Sequence, residues 1–115
     1  MDLEFHKKED KIIVDLIGEL DHHNAEEVRV KIDDRIDRDN IKKLILNFKS
    51  VTFMDSSALG ALVLAFKTLR DTGTKLVLCS INEQVRILFE LTGMDNVFEI
   101  FPSQDEFREV VFSKN

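Results

Sequence analysis

The sequence predicts an α/β fold, with one small mixed, mostly parallel sheet of about five strands and about four helices. Two observations carry this reading. Short apolar or β-branched runs alternate along the chain with stretches whose apolar residues recur every three or four positions. Strands that alternate with helices become parallel neighbours joined by right-handed crossovers. A third observation sets the scale: 115 residues, 43% hydrophobic and 33% charged, suit a single globular domain over residues 1–115.

The elements follow in order. Leu3 and Phe5 lie in a charged stretch that suits an edge strand, where Lys and Glu discourage edge-to-edge pairing. Ile12, Ile13, Val14, Leu16 and Ile17, between Lys11 and Gly18, read as a strand paired with it. After Gly18-Glu19-Leu20 the period changes. Ala25, Val28, Ile32 and Ile36 mark an amphipathic helix, with Asn24 and Glu27 as a capping box and Asp39-Asn40 as its end. Leu44 to Phe48 is apolar without alternation, the pattern of a strand covered on both faces. A second helix runs from about Ser56 to Asp71 and stops at Gly73. Lys75 to Ser80 is another buried strand. Val85, Leu88 and Phe89 mark a third helix, capped by Ser80 or Asn82 and closed by Gly93. Val97, Phe98, Ile100 and Phe101 form a last strand. Ser103 and Glu106 form a capping box for a fourth helix carrying Phe107, Val110 and Val111.

Composition narrows the function. A net charge of −6 argues against nucleic acid or an anionic membrane surface as the main partner. The single Cys79 rules out an internal disulfide and a paired-cysteine redox or zinc motif. The start, Met1-Asp2-Leu3-Glu4, is acidic where a signal peptide is basic, and no apolar run approaches the ~20 residues of a membrane span. A cytoplasmic protein is expected.

Enzyme chemistry finds few candidates. Cys79 sits mid-strand in an apolar run, the place of a small core residue. His22 and His23 are adjacent, and successive side chains usually diverge, whereas metal motifs space histidines along a helix face. Glycine-rich phosphate loops are missing. No catalytic residue, cofactor or metal is predicted.

The informative segment is Phe53-Met54-Asp55-Ser56-Ser57-Ala58-Leu59-Gly60, where a strand ends, short polar residues follow, and a helix begins. Asp or Ser before a helix is first of all a preferred N-cap, worth about 1 kcal/mol. The helix that follows adds more. At 100° per residue, Leu59, Leu62, Val63, Phe66 and Leu69 share the sheet-facing side. Ser57, Gly60, Ala61, Leu64 and Thr68 fall opposite, without the charges of a solvated face. That strip is either a docking surface for a protein or the seat of a covering element such as the C-terminal helix. Position alone leaves both open. A phosphate on Ser57 would sit at a helix N-terminus, where orphan amides and the helix dipole favour an anion. It would add about −1.5 to −2 charge beside Asp55 without breaking the helix.

Two stretches, Gly18-Glu19-Leu20-Asp21-His22-His23-Asn24-Ala25-Glu26 and Phe53-Met54-Asp55-Ser56-Ser57-Ala58-Leu59-Gly60, resemble the signatures of bacterial anti-sigma factor antagonists of the STAS domain family. The resemblance implies partner switching. The unphosphorylated antagonist binds an anti-sigma factor serine kinase and frees a sigma factor; phosphorylation ends the interaction, and a PP2C-type phosphatase reverses it. It makes the chain a kinase substrate rather than an enzyme. Ser57 matches the acceptor, with Asp21 and Asp55 at the recognition surface. Partner binding is then expected from Asp21, His22, His23, Asn24, Asp55, Ser56, Ser57, Gly60, Ala61 and Leu64. Asp21 also suits a plain turn residue, and the two histidines plain solvated side chains. Many members carry Gly where this chain has Ala58. Alanine firms the first helical turn by up to roughly 1 kcal/mol, which slows phosphorylation if the kinase needs the backbone to yield.

Two other readings keep a similar layout. A STAS scaffold subunit of a signalling or lipid-transport complex would bind constitutively and need no acceptor hydroxyl. The other is a small phosphate-handling enzyme or a phospho-aspartate receiver. A receiver needs adjacent acids after its first core strand, a separate acceptor Asp and a late lysine, and neither Leu16-Ile17-Gly18-Glu19 nor the stretch Val97 to Phe101 supplies the acids or the lysine.

Overall fold

The computed structural model describes residues 1–103. Its elements are β1 (Asp2–Lys8), β2 (Lys11–Leu20), α1 (Ala25–Asp39), β3 (Lys43–Met54), α2 (Ser56–Asp71), β4 (Lys75–Cys79), α3 (Glu83–Thr92) and β5 (Glu99–Phe101). The strands form one sheet in the order β1-β2-β3-β4-β5. β1 runs antiparallel to β2, and all other neighbours are parallel. The mixed, mostly parallel α/β fold is as the sequence predicts.

Successive strand residues point to opposite faces, and the core divides accordingly. On one face Ile12, Val14, Leu16, Leu44, Leu46, Phe48, Leu76 and Leu78 meet the apolar sides of the three helices. On the other, Ile13, Ile45, Val77 and Cys79 form a smaller buried cluster with Phe101 against it. β3 is thus covered on both faces through its first half, which explains its unbroken apolar run. Cys79 is fully buried, its thiol directed at the Leu46 carbonyl (3.7 Å), in keeping with a core role.

Helix ends follow local chemistry. Asn40 closes α1 in the left-handed conformation (φ 53°), where asparagine is tolerated better than most residues. Asn82 accepts from the Val85 amide (2.9 Å) to open α3, and Gly93 closes it at φ 73°. The Asn24–Glu27 capping box does not form. Asn24 turns back into the preceding loop, and Glu27 pairs with Lys31 (2.9 Å) one turn on. The last strand is shorter than expected, because Met94–Asn96 make a 3-10 turn and Val97 is exposed, leaving only Glu99–Phe101 to pair with β4. The helix expected after Ser103 lies outside the described residues. Among the described residues no helix is long and apolar enough to cross a membrane.

Candidate functional site

The parallel pairing of β2 and β3 decides what the site contains. Glu19 pairs with Phe53 and Leu20 with Met54, so both strands end side by side, and the Asp55 amide donates to the Leu20 carbonyl (3.2 Å). Residues 21–24 and 55–57, far apart in sequence, are therefore neighbours at the carboxyl ends of adjacent strands. That is where open α/β sheets usually place function.

Asp55 joins the two loops. It is the N-cap of α2, with extended backbone, and its Oδ1 accepts from the Ala58 amide (2.9 Å). Its Oδ2 accepts from the His22 amide (3.0 Å), and His22 Nδ1 lies 3.3 Å away. Burial works to raise the Asp55 carboxyl. The Ala58 and His22 amides, with the His22 ring, outweigh it and hold the group below the usual carboxylate range.

The upstream loop is built from its own side chains. Asp21 Oδ1 accepts from the His23 amide (2.9 Å). Asn24 Oδ1 accepts from the Asp21 amide (3.1 Å), while its Nδ2 donates to the Glu19 carbonyl (2.8 Å). These bonds are why Asn24 is not free to cap α1. The His22 and His23 rings do not diverge; their centroids are 3.9 Å apart, because the chain turns here rather than running extended. Both are exposed, His22 leaning on Asp55 and His23 on Asp21 (3.4 Å).

Ser56 and Ser57 are exposed in the first turn of α2. Among the described residues the strip beyond them is uncovered: Gly60 and Thr68 are exposed, and Leu64 keeps 54% of its surface in water. Ala61 departs from the expectation. It is half-buried and packs against the main core, because α1 lies close to that side of α2. Ala58 and Ala65 take sheet-facing places, while Val63 and Phe66 are only half-buried at the flanks. The small side chains on α2 let α1 approach. Between them lies an apolar cavity of about 30 Å³.

Exchanging Asp55 for Asn keeps a capping oxygen and removes the charge. We expect Asp55→Asn to cost about 1 kcal/mol at neutral pH in chemical denaturation. Because the folded-state pKa is lowered, that contribution is present above the ordinary carboxylate range. It is lost as pH falls through the folded value, so the gap between wild type and variant should narrow below about pH 4. A gap that is constant with pH would rule out this role for the charge.

The architecture and the paired loops define a class of small α/β domain, and comparison with known proteins identifies it. The chain belongs to the STAS domain family, whose model matches residues 2–107. An anti-sigma F factor antagonist of Paenibacillus polymyxa is 33% identical over 81% of this chain and 80% of its own length. An anti-sigma-B factor antagonist of Listeria monocytogenes is 34% identical over 79% of each. Among solved structures, the anti-sigma factor antagonist SpoIIAA in its unphosphorylated form shares the fold with a TM-score of 0.72 at 24% identity, covering 95% of this chain and 94% of that one. The phosphorylated form of that Bacillus cell fate determinant gives a TM-score of 0.71 at the same identity, covering 95% and 99%.

Most of the residues expected at the site lie together at this end of the sheet; Leu64 is two turns further along the α2 strip. Two further residues bind the end of β3 beside this segment. The sequence marks Asn82 only as a helix cap, and Gln84 carries no signal in it. Both side chains reach β3 from α3: Asn82 Nδ2 donates to the Val51 carbonyl (3.0 Å), and Gln84 bonds Met54 twice.

Proposed function

We propose that this protein is an anti-sigma factor antagonist whose binding is switched by a phosphate on Ser57. Unphosphorylated, it binds an anti-sigma factor serine kinase in the cytoplasm and so releases a sigma factor. Phosphorylation of Ser57 ends that binding, and a PP2C-type phosphatase restores it. The observation that carries this reading is the exposed Ser57 hydroxyl beside a capping aspartate that also grips the neighbouring loop. The names of the curated relatives support the antagonist role, and SpoIIAA exists in both phosphorylation states.

The geometry suits a switch of surface rather than of fold. Asp55 already satisfies the Ala58 amide and the His22 amide. A phosphate two residues on, in the same first turn, finds the first amides of α2 to accept from, so the helix tolerates it. The outer surface changes more. A neutral hydroxyl at the head of the Gly60–Leu64 strip becomes a dianion near Asp55, and an apolar partner face would have to desolvate both charges.

The direct functional test is displacement. Added to a preformed complex of a sigma factor with its anti-sigma factor, the unphosphorylated protein should release the sigma factor on size-exclusion chromatography. The Ser57-phosphorylated protein should not. Release by both forms alike would instead indicate a constitutive binder.

A further inference from the structure

β3 outruns its neighbour. Its last partner on the β4 side is the pair Asn47–Cys79, yet β3 continues to Met54. Backbone groups along that unpaired margin need other partners. α3 supplies them with side chains. Asn82 Nδ2 takes the Val51 carbonyl at 3.0 Å while its Oδ1 caps α3. Gln84 then pairs with Met54 as a strand would, its Oε1 accepting from the Met54 amide (3.0 Å) and its Nε2 donating to the Met54 carbonyl (2.8 Å). Met54 directly precedes the cap Asp55 and lies three residues before Ser57.

From this we infer that Gln84 is a positioning residue for the acceptor segment. It substitutes for the missing strand and fixes Met54, so that the first turn of α2 leaves the sheet at one angle. The segment is then held from two sides, by His22 on Asp55 and by Gln84 on Met54. The inference rests on Ser57 being the acceptor. A kinase that must align one hydroxyl in line with a phosphoryl donor gains from such pre-positioning, and small misplacements cost rate rather than affinity.

The test combines two readouts on the full chain. In Gln84→Ala, exchange of the Met54 amide should quicken about tenfold. Phosphorylation by the anti-sigma factor kinase should show kcat reduced about tenfold with KM within twofold of wild type. Arg86→Ala is the control: it removes ion pairs to Glu83 and Glu90 on the same helix without touching β3, and should alter neither readout. Unchanged Met54 exchange in Gln84→Ala would overturn the clamp. Faster exchange with unchanged kcat would overturn its positioning role. If wild type takes no phosphate, the switch itself fails, and with it any role of Gln84 in it; the exchange readout, which needs no kinase, still reports whether the clamp exists.

Discussion

Ser57→Asp should weaken binding to the anti-sigma factor by roughly 100-fold, by placing a charge where the partner must desolvate the surface. The same variant should melt within about 3 °C of wild type. Stability is spared because Ser57 is exposed and the cap is made by Asp55. A carboxylate in the first turn is, if anything, favoured by the helix dipole. The separation of the two effects is what a surface switch requires. Titration calorimetry against the anti-sigma factor, beside a thermal melt, measures both. Undiminished affinity would remove the basis for the switch, and a large drop in melting temperature would mean that the substitution acts through the fold.

Phe89→Ala carries the largest stability effect we expect, a loss of about 3–5 kcal/mol. Phe89 is fully buried, and its ring lies 5.6 Å from that of Phe98. Phe98 in turn meets Phe66 of α2 edge to face at 5.3 Å. These three rings connect α3 to α2 over the sheet, so truncating the innermost one leaves a cavity that rigid strands cannot close. Urea denaturation would show the midpoint falling sharply with little change in slope. A loss under about 1 kcal/mol would mean that α3 is not anchored by this ring.

The fold was legible where local chemistry decides it. α2 begins at Ser56 because Asp55 is a strong cap, and α1 ends at Asn40 because few other residues accept the left-handed region. The same two stretches that resemble the STAS family signatures also frame the site, and the pairing of β2 with β3 brings them together. What the sequence hid depends on distant partners. That β3 is one unbroken strand through Lys49 and Ser50, which interrupt its apolar run, is decided by β2, which continues to pair with it through Leu20. Asn24 reads as a helix cap by spacing, but the carbonyl of Glu19 and the amide of Asp21 claim its side chain. His22 and His23 point together only because the chain turns there. Ala61 falls on the outer side of a helical wheel, yet α1 covers part of it. Gln84 is invisible in sequence, since its role exists only because β4 stops short of β3.

The central claim is that Ser57 is the acceptor of a reversible phosphate. Intact-mass spectrometry tests it most directly, after incubation with the anti-sigma factor kinase, ATP and Mg²⁺, with Ser57→Ala alongside. One added phosphate on wild type and none on Ser57→Ala is the predicted result. The same phosphate on both proteins would place the acceptor elsewhere. No phosphate on either, with the kinase active on another antagonist, would contradict the switch and leave Ser57 as an ordinary residue in the first turn of a helix.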